Sequence, residues 1–311
     1  MSTISKLIRK ARGQIKHPTE CRAHQRSWFE TRREPIPPVG SAIEQYRSQD
    51  QIDNLESLYS PLLNDPRTID SLKRDPAPIP AAPDREGYFG ERHLAYWLSG
   101  LADLRMVERC VPEARFERVL DFGGASGRFA RHVQLAYESS ETTIAELNLN
   151  HVEWVERYFD AGINAVKVSP YPYFPLADRS VSLCVALSVF THIDSYETGW
   201  LSEVYRVLEL GGYALLTIHS EDTWPLLPSK RELFETLRRH PEFRNAFRLG
   251  EPMPKGRHVY NFNPHSIEHN CNVFMDSDYV RARWGKRFEV VDIVPRAHHD
   301  FQAAVVLRKA K

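Results

Sequence analysis

Val119-Leu120-Asp121-Phe122-Gly123-Gly124-Ala125-Ser126-Gly127 decides how this chain is read, because an apolar strand runs into an acid and then into a glycine-rich turn. Phe116 to Leu120 carries strand-forming residues, and Arg128-Phe129-Ala130-Arg131-His132-Val133 restarts with helical spacing, so the glycines fall at a strand-to-helix corner. Glycine there lets the backbone approach a ligand closely. A dinucleotide fingerprint G-x-G-x-x-G ending on Gly124 and Gly127 would need glycine at 122, where the chain has Phe. A nicotinamide dehydrogenase is therefore disfavoured.

The segments that follow alternate between strand and helix. Thr142 to Glu146 reads as a second strand ending in an acid, 25 residues after Asp121, and Leu149 to Phe159 as the next helix. A carboxylate in that place can accept two hydroxyl hydrogen bonds from a ribose diol. Ala165 to Val168 reads as a third strand, followed by the proline- and aromatic-rich loop Ser169 to Leu176. Val181 to Phe190 is continuously apolar, as a central parallel strand buried on both faces should be. It runs into Thr191-His192-Ile193-Asp194. Trp200, Leu201, Val204, Tyr205, Val207 and Leu208 recur at helical spacing, Gly211-Gly212 is expected to end that helix, and Tyr213 to Ile218 forms a fifth strand. Phe288 to Val294 and Ala303 to Leu307 supply a late strand pair.

Asp121, Gly123, Ala125 and Gly127 fill, in order, a pattern that resembles motif I of the class I S-adenosylmethionine-dependent methyltransferases, with Ala125 where glycine is commoner. The run Leu201 to Gly212 is similar to that family's helix before strand five, with Leu210 replacing the usual proline. The resemblance covers roughly residues 87 to 309. It implies an α/β fold, a Rossmann-like seven-stranded sheet with its last strand antiparallel, as a methyltransferase domain over 83–311 with an insertion at about 220–277, while the texture of residues 1–82 suggests an N-terminal helical and proline-rich extension. It further implies S-adenosyl-L-methionine as cofactor, with contacts from Asp121, Gly123, Gly124, Ala125, Gly127, Glu146, Leu147, Ser169 and Ser188. The family's acid after the third strand, which meets the adenine amino group, is replaced here by Ser169 and Pro170. Tyr88, Arg92 and Tyr96, in the helix before strand one, could meet the methionine end of the cofactor.

Composition points the same way. The 41 basic and 41 acidic residues cancel, leaving no global field to gather nucleic acid, so a DNA or RNA substrate is disfavoured. Cys21, Cys110, Cys184 and Cys271 are scattered without a C-x-x-C pair, which suggests neither zinc nor a disulfide framework. No apolar stretch is long enough to span a bilayer and no signal-peptide pattern is seen, so a cytoplasmic enzyme is expected. Ile4, Leu7, Ile8, Ala11 and Ile15 share one helical face while Lys6, Arg9, Lys10, Arg12 and Lys16 crowd the others. Residues 1–16 are thus a candidate contact for an anionic membrane surface or a protein partner, or they pack on their own domain. Further helical spacing at Ile52, Leu55, Leu58, Leu62 and Leu63 lies between two proline-rich stretches.

Transfer of a methyl group to an alcohol needs the acceptor held in line and its proton removed, which is work for a histidine. His192 after strand four and His219 after strand five lie where open α/β sheets bind ligands, and they are the candidate catalytic bases. His219-Ser220-Glu221-Asp222 with Asp194 could instead hold a cation, but loop acids more often cap or face solvent, and no metal ligand set is assigned. The insertion from about 220 to 277 carries Trp224, Phe234, Phe243, Phe247, His258, Tyr260, Phe262, His265 and His269. Its aromatics could stack on a sugar or planar ring, or form a satellite core. The expected activity is methylation of a small molecule or glycan, most simply at oxygen. The competing expectation is a catalytically silent cofactor-binding scaffold recruited through its basic N-terminal helix.

Overall fold

The computed structural model describes residues 36–41, 43, 45, 46, 59, 61–263 and 271–310. The expected basic helix over residues 4–16, the spacing at Ile52, Leu55 and Leu58, and Cys21, His265 and His269 fall outside them.

Seven strands form one sheet in the order β3-β2-β1-β4-β5-β9-β8. These are β1 (Arg118–Phe122), β2 (Glu141–Glu146), β3 (Ile163–Lys167), β4 (Val181–Ala186), β5 (Leu208–Ile218), β8 (Glu289–His298) and β9 (Gln302–Arg308). β1 to β5 are mutually parallel, and β9 runs antiparallel to both of its neighbours, β5 and β8. The expected sheet with an antiparallel last strand is therefore present. The helices are α1 (Pro66–Arg74), α2 (His93–Cys110), α3 (Ala130–Ala136), α4 (Leu149–Tyr158), α5 (Glu197–Val207), α6 (Arg231–Leu237), α7 (Pro241–Ala246) and α8 (Ser277–Trp284). None of the described helices is long and apolar enough to cross a membrane.

The continuous apolar runs follow from cover on both faces of the sheet. Cys184 and Ala186 of β4, and Ala303, Val305 and Leu307 of β9, join a core with Trp200, Leu201 and Val204 of α5. Their strand neighbours Leu183, Val185, Ala304 and Val306 join a second core with Leu104 and Val107 of α2 and Val133 of α3. Period-two alternation thus puts apolar side chains into two separate cores, so a half-polar strand pattern would fail here. Phe122 belongs to the first core, with its ring 4.9 Å from Phe174 and 4.7 Å from Trp200. That packing is the physical reason for a bulky residue inside the glycine loop's lead-in.

One local expectation fails. Gly211 and Gly212 do not end α5, which stops at Val207, and β5 begins at once with Leu208. The buried Lys309 at the end of β9 donates from Nζ to the carbonyls of Tyr205 and Leu208, both at 2.7 Å, and so satisfies carbonyls at the helix end. Gly211 instead lies within the strand with φ +79, and its N–H bonds the Lys309 carbonyl. Part of the expected extension also packs tightly: Trp97 Nε1 of α2 donates to Asp75 at 2.7 Å, and Arg131 of α3 donates to the Ala77 carbonyl at 3.0 Å.

The insertion folds as three short helical turns and a two-stranded hairpin, β6 (Arg257–Asn261) and β7 (Cys271–Met275). Trp224, Leu237, Phe243, Tyr260 and Phe274 make a satellite core, with Phe234, Phe247 and Phe262 against it. Of the two readings of these aromatics, packing is the one adopted.

Candidate active site

The carboxyl ends of β1, β2, β4 and β5 bring together Asp121, Glu146, Ser188 and His219. Gly123 and Gly127 have φ +73 and +80, in the left-handed region that glycine alone adopts freely. A Cβ on Gly124 would lie 2.3 Å from Asp121 Oδ2, and one on Gly127 would lie 2.7 Å from the Phe159 ring. Each glycine is thus fixed by what crowds it. Ala125 takes φ +48 and survives there as a non-glycine residue.

Asp121 is buried and its Oδ2 has no hydrogen-bond partner. Burial pushes its carboxyl up to about 7, with Asp103 and Glu146 adding to the rise and Arg128 opposing it. A buried acceptor of this kind is expected to meet a ligand donor. Glu146 is also buried, and its two oxygens accept the Ala125 N–H at 3.0 Å and the Asn148 N–H at 2.8 Å. Carboxylate oxygens carry further lone pairs, so ribose hydroxyls could still bond there. Leu147 packs on the first core, and Ser169 is exposed, exchanging hydrogen bonds with the Tyr171 backbone. From α2, the Tyr96 hydroxyl lies 3.3 Å from Ser126 Oγ inside the loop, whereas Tyr88 is exposed and Arg92 lies over the Phe89 ring. These residues fit an adenosyl cofactor: an orphaned acid, a crowded glycine turn and a second acid across from it.

Ser188 has φ +60; its N–H donates to Thr217 Oγ1 at 2.7 Å, and its hydroxyl meets the Gln302 amide. Gln302 and Thr217 carry no sequence signal, because their pairing depends on β9 returning beside β5. His192 sits on the exposed surface of the loop after β4, with Nδ1 2.7 Å from the Cys271 carbonyl. A carbonyl can only accept, so Nδ1 carries the proton and Nε2 the lone pair. The Cys271 thiol bonds the His192 carbonyl in return. His219 is enclosed, its ring stacked on Phe274 at 4.9 Å, and burial depresses it to about 3, so it is neutral and a feeble base. β7 ties both histidine loops to the insertion, through Val273 N to the Thr191 carbonyl at 2.8 Å and Met275 N to the His219 carbonyl at 2.9 Å. The cation reading of Asp194 and Glu221 loses its ligands: Asp194 accepts from Asn261 Nδ2 at 2.6 Å, and Glu221 accepts the Ser277 N–H at 3.1 Å, at the start of α8. A cleft of about 620 Å³ beside Phe116 and Glu117 lies at the other end of β1 from Asp121 and takes no part in the site.

Sheet order, the glycine corner and the two acids at the ends of β1 and β2 define a class I methyltransferase. Residues 92–272, more than half of the chain, match the family model described as "Methyltransferase domain", and the chain belongs to that family. S-adenosylmethionine is its expected cofactor. Similar solved structures include an S-adenosylmethionine-dependent methyltransferase from Mesorhizobium loti, at 12% identity and TM-score 0.48 over 67% of this chain and 97% of that one. Another, from Aquifex aeolicus, has 14% identity and TM-score 0.42 over 65% and 88%. A third, from Methanosarcina mazei, has 16% identity and TM-score 0.44 over 64% and 96%. No functionally curated protein matches the chain.

Proposed function

We propose that the enzyme methylates a hydroxyl group of a small molecule or glycan, with His192 as general base. The observation that carries this reading is the Nδ1 contact of His192 with the Cys271 carbonyl at 2.7 Å, which fixes the ring and its tautomer at the carboxyl edge of the sheet. The cofactor sulfonium supplies an electrophilic methyl group. Asp121, Glu146 and the glycine loop hold the cofactor, and His192 takes the acceptor proton. His219, enclosed and electrically neutral, packs the floor of the β5 loop. The β6–β7 hairpin, bonded to both histidine loops, is where acceptor shape is read.

The test is transfer of a radiolabelled methyl group from S-adenosylmethionine to a panel of hydroxylated acceptors, run beside a panel of amines. Turnover confined to hydroxylated compounds supports the reading. Turnover confined to amines overturns O-methylation, and cofactor binding without any turnover favours a silent scaffold.

A further inference from the structure

Asp103 of α2, His298 at the end of β8 and His299 in the turn before β9 place one donor atom each within 4.8 Å of one another. Among the described residues this is the one group of metal-ligating side chains so close together. Asp103 Oδ1 lies 3.2 Å from His298 Nε2 and 3.6 Å from His299 Nε2. Tetrahedral coordination with bonds of about 2.0–2.1 Å separates ligand atoms by about 3.3 Å, close to both spacings from Asp103.

The tautomer of His298 supplies the second observation. Thr217 Oγ1 donates to Gln302 Oε1 at 2.7 Å, and Gln302 Nε2 donates to Ser188 Oγ at 3.0 Å. That fixes Oε1 as the acceptor facing His298 Nδ1 at 3.3 Å, so Nδ1 carries the proton. Nε2 is the ring atom turned toward the Asp103 carboxylate. The side chain of His298 is 5% exposed, and this Nε2 has no hydrogen-bond partner. A positive charge shared by these two buried atoms, a proton on the imidazole or a metal ion, satisfies both, and the third donor, His299 Nε2 at 3.6 Å from the same carboxylate oxygen, favours the metal. Asp103 is oriented from its other side, where Oδ2 meets Arg128 Nη1 at 2.7 Å, leaving Oδ1 toward the histidines. Arg296 near the end of β8 and His299 and Asp300 in the turn have φ +54, +51 and +53, a left-handed backbone at three non-glycine residues.

We propose that Asp103, His298 and His299 bind a late first-row divalent cation of the zinc type. Two imidazoles and one carboxylate suit zinc, cobalt or nickel and do not suit magnesium or calcium, which take oxygen ligands. Asp103, His298 and His299 all line a cavity of about 270 Å³, bordered also by Met106, Arg109 and Ala297, which offers an ion an entrance and room for a water ligand. Gln302 is the partner that orients His298, as a metal-bound histidine normally has. The bound ion fastens the β8–β9 turn to α2. None of the three ligands is a residue assigned to methyl transfer, and the site stands whether or not His192 is the base.

The experiment uses the full chain, stripped with a chelator and titrated with Co²⁺ as a spectroscopic probe, then with Zn²⁺ in competition. One equivalent of Co²⁺ should give visible d–d absorption of a four- or five-coordinate site, displaced by Zn²⁺. His298→Gln and His299→Ala should each weaken binding by at least about 100-fold, and Gln302→Ala by about 10- to 100-fold. No stoichiometric uptake by the wild type overturns the proposal. So does uptake unchanged in both histidine variants, because the chain has 13 histidines and another group would then hold the ion. If His298→Gln does not fold, the half-exposed His299→Ala decides alone, with circular dichroism confirming its fold.

Discussion

Glu146, at the end of β2, reaches across to the glycine loop after β1: its Oε2 accepts the Ala125 N–H at 3.0 Å while Oε1 accepts that of Asn148 at 2.8 Å. One carboxylate therefore shapes the loop, and in the function proposed above it also meets the cofactor ribose.

Glu146→Ala removes both charge-assisted bonds and any bond to the ribose. Affinity for S-adenosylhomocysteine should fall about 10- to 100-fold in calorimetric titration. Undiminished affinity would remove Glu146 from the cofactor site.

At Gly124 there is no room for a methyl group, since its Cβ would lie 2.3 Å from Asp121 Oδ2. Gly124→Ala should cost about 1–3 kcal/mol of stability in denaturant unfolding and should abolish saturable cofactor binding. A stable variant that binds normally would show that the loop is looser than this packing implies.

Asp121 gives a pH signature. Its folded value of about 7 lies above the ordinary 3.8 of a solvated Asp, so between those limits the native state holds more protons than the unfolded chain. Its contribution to stability is full at the acid end and is lost as pH rises through 7. The neutral Asp121→Asn variant lacks that loss. Its Tm relative to wild type should therefore climb between about pH 4 and pH 7, by about 2 °C or more in total, while cofactor affinity drops. Parallel Tm curves would mean that Asp121 is solvated.

Replacing His192 by Ala should lower kcat by about 10²- to 10⁴-fold on a hydroxylated acceptor, with cofactor affinity intact. Equal turnover in single-turnover assays would end its assignment as the base.

Local signals in the sequence were enough for the sheet. Val181 to Phe190 reads as a central strand because both of its faces are apolar, whereas Asp121 and Glu146 draw notice only together with the glycine turn, since a lone acid at a strand end is more often solvated. The end of α5 is not legible at Gly211, because the group that satisfies its last carbonyls is Lys309, a residue about a hundred positions later in the chain. The insertion's aromatics could not be sorted between ligand and core by sequence, since stacking and packing demand the same side chains. Gln302 and the proximity of Asp103 to His298 were invisible for the same reason as Lys309: both depend on β9 passing back through the sheet. Burial separates His192 from His219, and no sequence pattern marks that difference.

The place of β9 governs how the sheet can be completed. It follows every other strand in sequence, yet it lies between β5 and β8, pairing Ala214 with Leu307 on one side and Ile293 with Val305 on the other. Until residues 302–308 arrive, β5 presents an unpaired apolar edge and β8 has no strand to pair with. Newly made chains therefore pass through a stage with an open, sticky sheet, and deletion of this short segment should direct the protein to aggregates rather than to a smaller folded enzyme.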